Sequence, residues 1–135
     1  MTVIDTSGVI DFLLGWPACE EVGRLLAVER ELRAPDVLVF EVISALRRQT
    51  QREMVAAERA HGALADLDDL PLRLYPSMSL RWRAWELRDN FTAGDALFVA
   101  LAEQLGEPLA TKDAALIQAG ASRPDLDTEV VALVS

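Results

Sequence analysis

The chain has 135 residues, 51% hydrophobic and 26% charged, the size and balance of one globular domain with room for a core. It carries 13 basic against 22 acidic residues, a formal net charge of −9, and every basic residue except Lys112 is Arg. A single cysteine, Cys19, excludes an internal disulfide and a cysteine-cluster zinc site, and a single histidine, His61, excludes a mechanism needing a histidine pair. Both are read as structural or surface residues. No basic leader precedes the first apolar stretch, which Asp5 and Asp11 interrupt, so no secretory signal is expected. The longest apolar run, 96–102, is far short of the roughly 20 residues of a membrane span. The expectation is a cytoplasmic protein with no membrane association.

Val3–Ile4 ahead of Asp5 reads as the end of a short buried strand, followed by a helix through Val9–Leu14. Gly15-Trp16-Pro17 ends that helix, and Pro17 suits the first turn of a second one reaching about Glu31. Leu32–Ala34 is a strand closed by Pro35. The pattern is helical from Val37 to Gln51 and again over Arg52–Asp69. Leu72–Tyr75, bracketed by Pro71 and Pro76, is the third strand. Helices follow at Ser79–Arg88 and at Ala93–Leu105, the second stopped by Gly106. Pro108–Ala110 and Glu129–Leu133 are the last strands, with a short helix Ala114–Ala119 between them. Strands and helices alternate from end to end, which predicts one α/β domain over 1–135, a parallel sheet with helices on both faces. The functional crevice of such a sheet lies beyond the carboxyl ends of its strands.

Four carboxylates stand out against that frame. Asp5 directly follows the first strand and Asp113 follows a later one, both at the crevice end. Glu41 is the lone charge in the apolar segment 37–43, and Asp95 the lone charge at the head of 96–102. A helix apolar on every side is buried, and a buried carboxylate is costly unless paired or bound to a metal. Each has a structural alternative. Asp5 and Asp113 suit helix caps, Thr92-Ala93-Gly94-Asp95 resembles a capping box, and Glu41 could pair with a buried Arg. Together, however, converging acids raise one another's pKa and oppose folding, and no basic residue is spaced to neutralise them. A hard divalent cation such as Mg²⁺ or Mn²⁺ resolves the conflict, and it can activate water and stabilise phosphoryl charge without histidine.

At these residues the sequence resembles the PIN-domain family, and within it the stand-alone toxins of VapBC-type toxin–antitoxin pairs. The carriers are Val3-Ile4-Asp5-Thr6-Ser7, Pro35 with Glu41 and Ala45-Leu46-Arg47-Arg48, Gly94-Asp95-Ala96-Leu97 with Val99-Ala100-Leu101-Ala102, and Pro108-Leu109-Ala110-Thr111-Lys112-Asp113. The resemblance implies a three-layer α/β/α domain with a five-stranded parallel sheet, Mg²⁺- or Mn²⁺-dependent endoribonuclease activity, inhibition by a small antitoxin and homodimerisation. It places the family's acids on Asp5, Glu41, Asp95 and Asp113, with Asp113 the least constant of them. Thr6 or Ser7, and Thr111, match hydroxyl positions that support the acids. Gly94 departs from the family pattern, where many relatives carry a larger residue.

The mechanism expected on this basis is RNA hydrolysis by metal-activated water, with Asp5, Glu41 and Asp95 holding one ion and Asp113 a second ion or a water. A net charge of −9 argues against generic nucleic-acid binding. The distribution softens this: residues 89–135 carry two basic and eight acidic groups, while Arg47, Arg48 and Arg52 form a cluster free of acids. That cluster, downstream of Glu41 on one helix, is a candidate RNA-binding surface or a solvated face. Met78, Trp82 and Trp85 share one helical face, and the Trp residues are read as core or interface rather than as base-stacking groups. Two other readings remain open. One is a phosphatase or phosphotransferase with Asp5 as nucleophile and Lys112 as its late lysine; the other is a catalytically silent binding or signalling module.

Overall fold

The computed structural model describes residues 1–133, so the last two residues of the expected 1–135 domain lie outside it. Five strands, β1 (Val3–Ile4), β2 (Leu32–Pro35), β3 (Leu72–Tyr75), β4 (Leu109–Thr111) and β5 (Val130–Ala132), form one parallel sheet in the order β3-β2-β1-β4-β5. The chain therefore winds outward from β1 to β3, then returns to the far side of β1. Val3 sits in register with Arg33 on one side and Leu109 on the other. The order of winding reverses between β1 and β4, and open α/β sheets bind ligands at such a switch point. The residues that leave these two strands are Asp5 and Lys112-Asp113.

The helices are α1 (Thr6–Leu14), α2 (Cys19–Glu29), α3 (Val37–Gln51), α4 (Ala57–Asp69), α5 (Arg81–Glu86), α6 (Ala93–Leu105) and α7 (Ala114–Ala121), with a 3₁₀ turn at Ser77–Leu80. α1 packs against α2, α3 and α4, while α6 lies on β1, β2 and β4 and carries α5. This three-layer arrangement matches the expected fold. The core runs through Val3, Ile4, Leu38, Phe98, Leu101 and Leu109, all fully buried. Gly15, at φ 69°, ends α1 in the left-handed conformation and returns its N–H to the Asp11 carbonyl.

Several boundaries and faces differ from the sequence reading. The helix expected over Arg52–Asp69 starts at Ala57, because Arg52–Ala56 turn the chain, with Glu53 at φ 59°. The helix expected over Ser79–Arg88 is a 3₁₀ turn followed by the short α5. α3 is not buried all round. Its stripe Leu38, Val42 and Leu46 is buried, whereas Val39, Phe40 and Ile43 are exposed, Phe40 by 69%. A helix packed along one stripe leaves its other apolar residues in water, whatever their hydropathy. The Trp residues are not core either. Trp82 and Trp85 are 69% and 63% exposed, because Leu80, Ala84 and Leu87 are what α5 and its flanks turn inward.

Candidate metal centre and its cleft

A cleft of about 450 Å³ opens at the carboxyl ends of β1 and β4, walled by α1 on one side and α3 on the other. Asp5, Glu41, Asp95 and Asp113 all line it, although they come from four separate segments of the chain. Asp5 stands at the junction of β1 and α1. It is buried and makes no side-chain cap bond to α1, which leaves its carboxylate to the cleft. Thr111 Oγ1 donates to Asp5 Oδ2 at 2.8 Å and Ser7 Oγ donates to the same oxygen at 3.0 Å. Thr111 also accepts the Asp113 N–H at 3.0 Å, so one buried hydroxyl ties the ends of β1 and β4 together.

Glu41, in the second turn of α3, has no cationic side chain in a salt bridge with it among the described residues; the Thr6 hydroxyl donates to its Oε1 at 2.6 Å. The other carboxylate oxygen lies against Gly94. A Cβ placed on Gly94 would fall on Glu41 Oε2, so the glycine that departs from the family pattern is the seat of this acid. Asp95 and Asp113 combine the structural and functional readings. Thr92 Oγ1 accepts the Asp95 N–H and caps α6, and Asp113 Oδ1 caps α7 by accepting the Ala115 N–H, yet both residues still border the cleft.

The electrostatics follow from this crowding. Burial raises the pKa of Asp5 above the usual carboxylate value, Asp113 adds to it, and the Thr111 and Ser7 bonds oppose it. Burial likewise raises Glu41, with Asp5 adding to the effect and Thr6 and Arg48 opposing it. Asp95 is pushed up to about 6, first by burial and then by Asp5, Asp113 and Glu41. Burial is the largest cause at all three and the neighbouring acids add to it, and carboxylate oxygens so placed are the donors a hard divalent cation takes. Among the described residues no three of them are yet as close as a completed coordination shell requires. Closing on an ion calls for side-chain rotation, which the partly exposed Asp95 and exposed Asp113 allow.

Of the arginine cluster, Arg48 lines the cleft, with its Nη1 donating to Ser44 Oγ at 3.0 Å, while Arg47 and Arg52 are exposed outside it. Asp11 entered the sequence reading only as a break in an apolar stretch. It is buried, accepts the Ala18 N–H at 2.9 Å and pairs with Lys112 Nζ at 2.7 Å. The isolation that singles out Glu41 and Asp95 applies equally to Asp11 between Ile10 and Phe12, and was the available signal. Lys112 thus pairs with Asp11 rather than with Asp5, the partner the phosphatase reading gives it.

The PIN domain profile matches residues 2–121. Ribonuclease VapC1 of Mycobacterium tuberculosis is 40% identical over 129 residues, 95% of this chain and 94% of its own. Ribonuclease VapC12 of the same organism is 33% identical over 127 residues, 94% of this chain and 98% of its own. Among solved structures, VapBC2 from Rickettsia felis, bound to a DNA fragment from their promoter, superposes with a TM-score of 0.67 at 13% identity, covering 97% of both chains. PAE2754 from Pyrobaculum aerophilum gives 0.64 at 18% identity over 87% of this chain and 78% of its own. At those identities the two structures speak for the fold alone. Matched along most of its length by the PIN profile and by VapC proteins, the chain belongs to the PIN-domain family, in its VapC branch.

Proposed function

We propose that this protein is a Mg²⁺- or Mn²⁺-dependent endoribonuclease acting in the cytoplasm as the toxin of a type II toxin–antitoxin pair. One observation carries the reading: four acids from four segments line one cleft at the β1/β4 switch point, Asp5 and Glu41 held by hydroxyls and none of the four in a salt bridge among the described residues. A divalent ion there supplies a lowered pKa for water and positive charge opposite the phosphoryl oxygens. Asp5, Glu41 and Asp95 are the residues to hold it, with Asp113 beside them. The chain's own part is preorganisation: Thr111 and Ser7 hold the Asp5 carboxylate, Thr6 holds Glu41, and Thr92 fixes the start of α6 that carries Asp95. Attack by water in line, rather than by the RNA 2′-hydroxyl, leaves a 5′-phosphate and a 3′-hydroxyl.

The curated relatives named ribonucleases support the substrate class, and the solved VapBC2 complex supports a small antitoxin as partner. An acidic cleft bordered by the exposed Phe40 suits a basic, amphipathic inhibitor segment. Self-association is part of the same proposal, and Met78, Trp82 and Trp85 are exposed apolar side chains available for it. No helix among the described residues is long and apolar enough to cross a membrane.

The test is purified protein on a defined RNA panel with Mg²⁺, Mn²⁺ or EDTA, alongside Asp5→Asn and Glu41→Gln. Metal-dependent cleavage lost in both folded variants is expected. Cleavage retained in either, free of contaminating nuclease, overturns the reading, and a phospho-aspartate trapped at Asp5 would replace it with phosphotransfer.

A further inference from the structure

The cleft holds a fixed cation that the chemistry above does not use. Lys112 Nζ lies 2.7 Å from Asp11 Oδ2, and its side chain remains 32% exposed where it lines the cleft, over an Asp11 side chain only 3% exposed. The Lys112 backbone N–H donates to Ser7 Oγ at 3.1 Å. Both ends of the residue are therefore tied to one face of α1, since Ser7 and Asp11 are four residues apart. A lysine ammonium has three donors, and Asp11 receives one of them. Stability alone does not call for this pair, because a buried ion pair exchanged for apolar groups is often no less stable.

Charge decides what the ammonium faces. The lining residues carry five carboxylates, Asp5, Asp11, Glu41, Asp95 and Asp113, against two cations, Lys112 and Arg48, a net of −3. One divalent ion at the acids still leaves −1, so a polyanion entering the cleft needs cationic N–H donors on its walls, and Asp11 takes one of the three that the Lys112 ammonium carries. Arg48 stands on the α3 wall and Lys112 on the α1 wall, and a cleft of about 450 Å³ falls within the range of small-ligand pockets, roughly 300–1,000 Å³. Lys112 is preorganised where Arg48 is exposed.

We propose that Lys112, positioned by Asp11, is a substrate-binding residue that takes a phosphate of single-stranded RNA next to the one that is cut. The assignment rests on the nuclease reading above. It is tested by steady-state cleavage of one unstructured oligoribonucleotide across a salt series, with wild type, Asp11→Asn, Lys112→Arg and Asp11→Asn/Lys112→Met. The double variant avoids leaving Asp11 buried and unpaired, and the amide oxygen that Asp11→Asn introduces can still accept the Ala18 N–H. Its KM should rise about tenfold, with kcat within twofold. Its slope of log kcat/KM against log salt should shrink by about 0.7, the share of one single-strand phosphate contact. Asp11→Asn and Lys112→Arg keep the cation and should keep the slope. If Lys112 is only a strut, the double variant melts lower but shows the wild-type KM and slope, and the proposal falls with the nuclease reading intact. Absence of cleavage by wild type itself refutes the nuclease reading instead.

Discussion

Gly94→Ala separates folding from function at this site. Gly94 is the second residue of α6, in its first turn, where alanine's advantage over glycine is at most the ~0.5–1 kcal/mol of a helix interior. Its new Cβ would fall on Glu41 Oε2, so the carboxylate must retreat by about 1 Å to reach ordinary contact. The displaced atom is the end of a flexible, partly exposed side chain, so the retreat need not shift the backbone. It sacrifices the 2.6 Å bond from Thr6, a loss of about 1–2 kcal/mol. The two effects nearly offset, so thermal unfolding should shift by no more than a few degrees. Function should not tolerate the move, because about 1 Å of misplacement in a catalytic constellation can cost on the order of 100-fold in rate. Manganese titration reports the same displacement independently of turnover. At a concentration 100 times its Kd the ion adds about 2.7 kcal/mol of stability, and a site weakened tenfold gains only about 1.4 kcal/mol at that concentration. Wild-type cleavage together with a wild-type manganese shift in Gly94→Ala would refute the claim that Gly94 seats Glu41.

Three further outcomes follow from the same geometry. In EDTA the protein should melt higher at pH 5.5 than at pH 7.5. The folded-state pKa of Asp95 is raised to about 6, and those of Asp5 and Glu41 are raised too, so the native state gains stability as pH falls through about 6 toward their unfolded values. After discount for solvent screening this is at most about 1 kcal/mol, and a melting temperature that climbs from pH 5.5 to 7.5 would contradict it. Thr111→Val keeps the shape of a buried residue but strips a donor from Asp5 and an acceptor from the Asp113 N–H; calorimetry should show a loss of about 1–3 kcal/mol, and cleavage assays at least a tenfold lower kcat. Arg83→Met removes the bidentate clamp on Glu103, at 2.7 and 3.0 Å, that joins α5 to α6. It should lower stability by about 2 kcal/mol in denaturant titration while leaving the cleavage rate at 25 °C unchanged, since the pair lies outside the cleft.

Local pattern alone determined much of this protein. Alternating strand and helix signals with proline and glycine boundaries predicted all five strands, and the parallel sheet then put Asp5 and Asp113 at the crevice end. A charge alone in an apolar run marked Glu41 and Asp95, because burying an unpaired carboxylate is costly wherever the chain folds. Tertiary structure decided what depends on contacts between distant segments. Apolar residues on α3 and α5 do not say which stripe meets the core, so the exposure of Phe40, Trp82 and Trp85 came from the packing of α1, α4 and α6. The Thr6–Glu41 bond spans 35 residues and the Asp11–Lys112 pair 101, and no local spacing encodes either. Gly94 looked like a departure from a family pattern until the fold laid a carboxylate where its side chain would be.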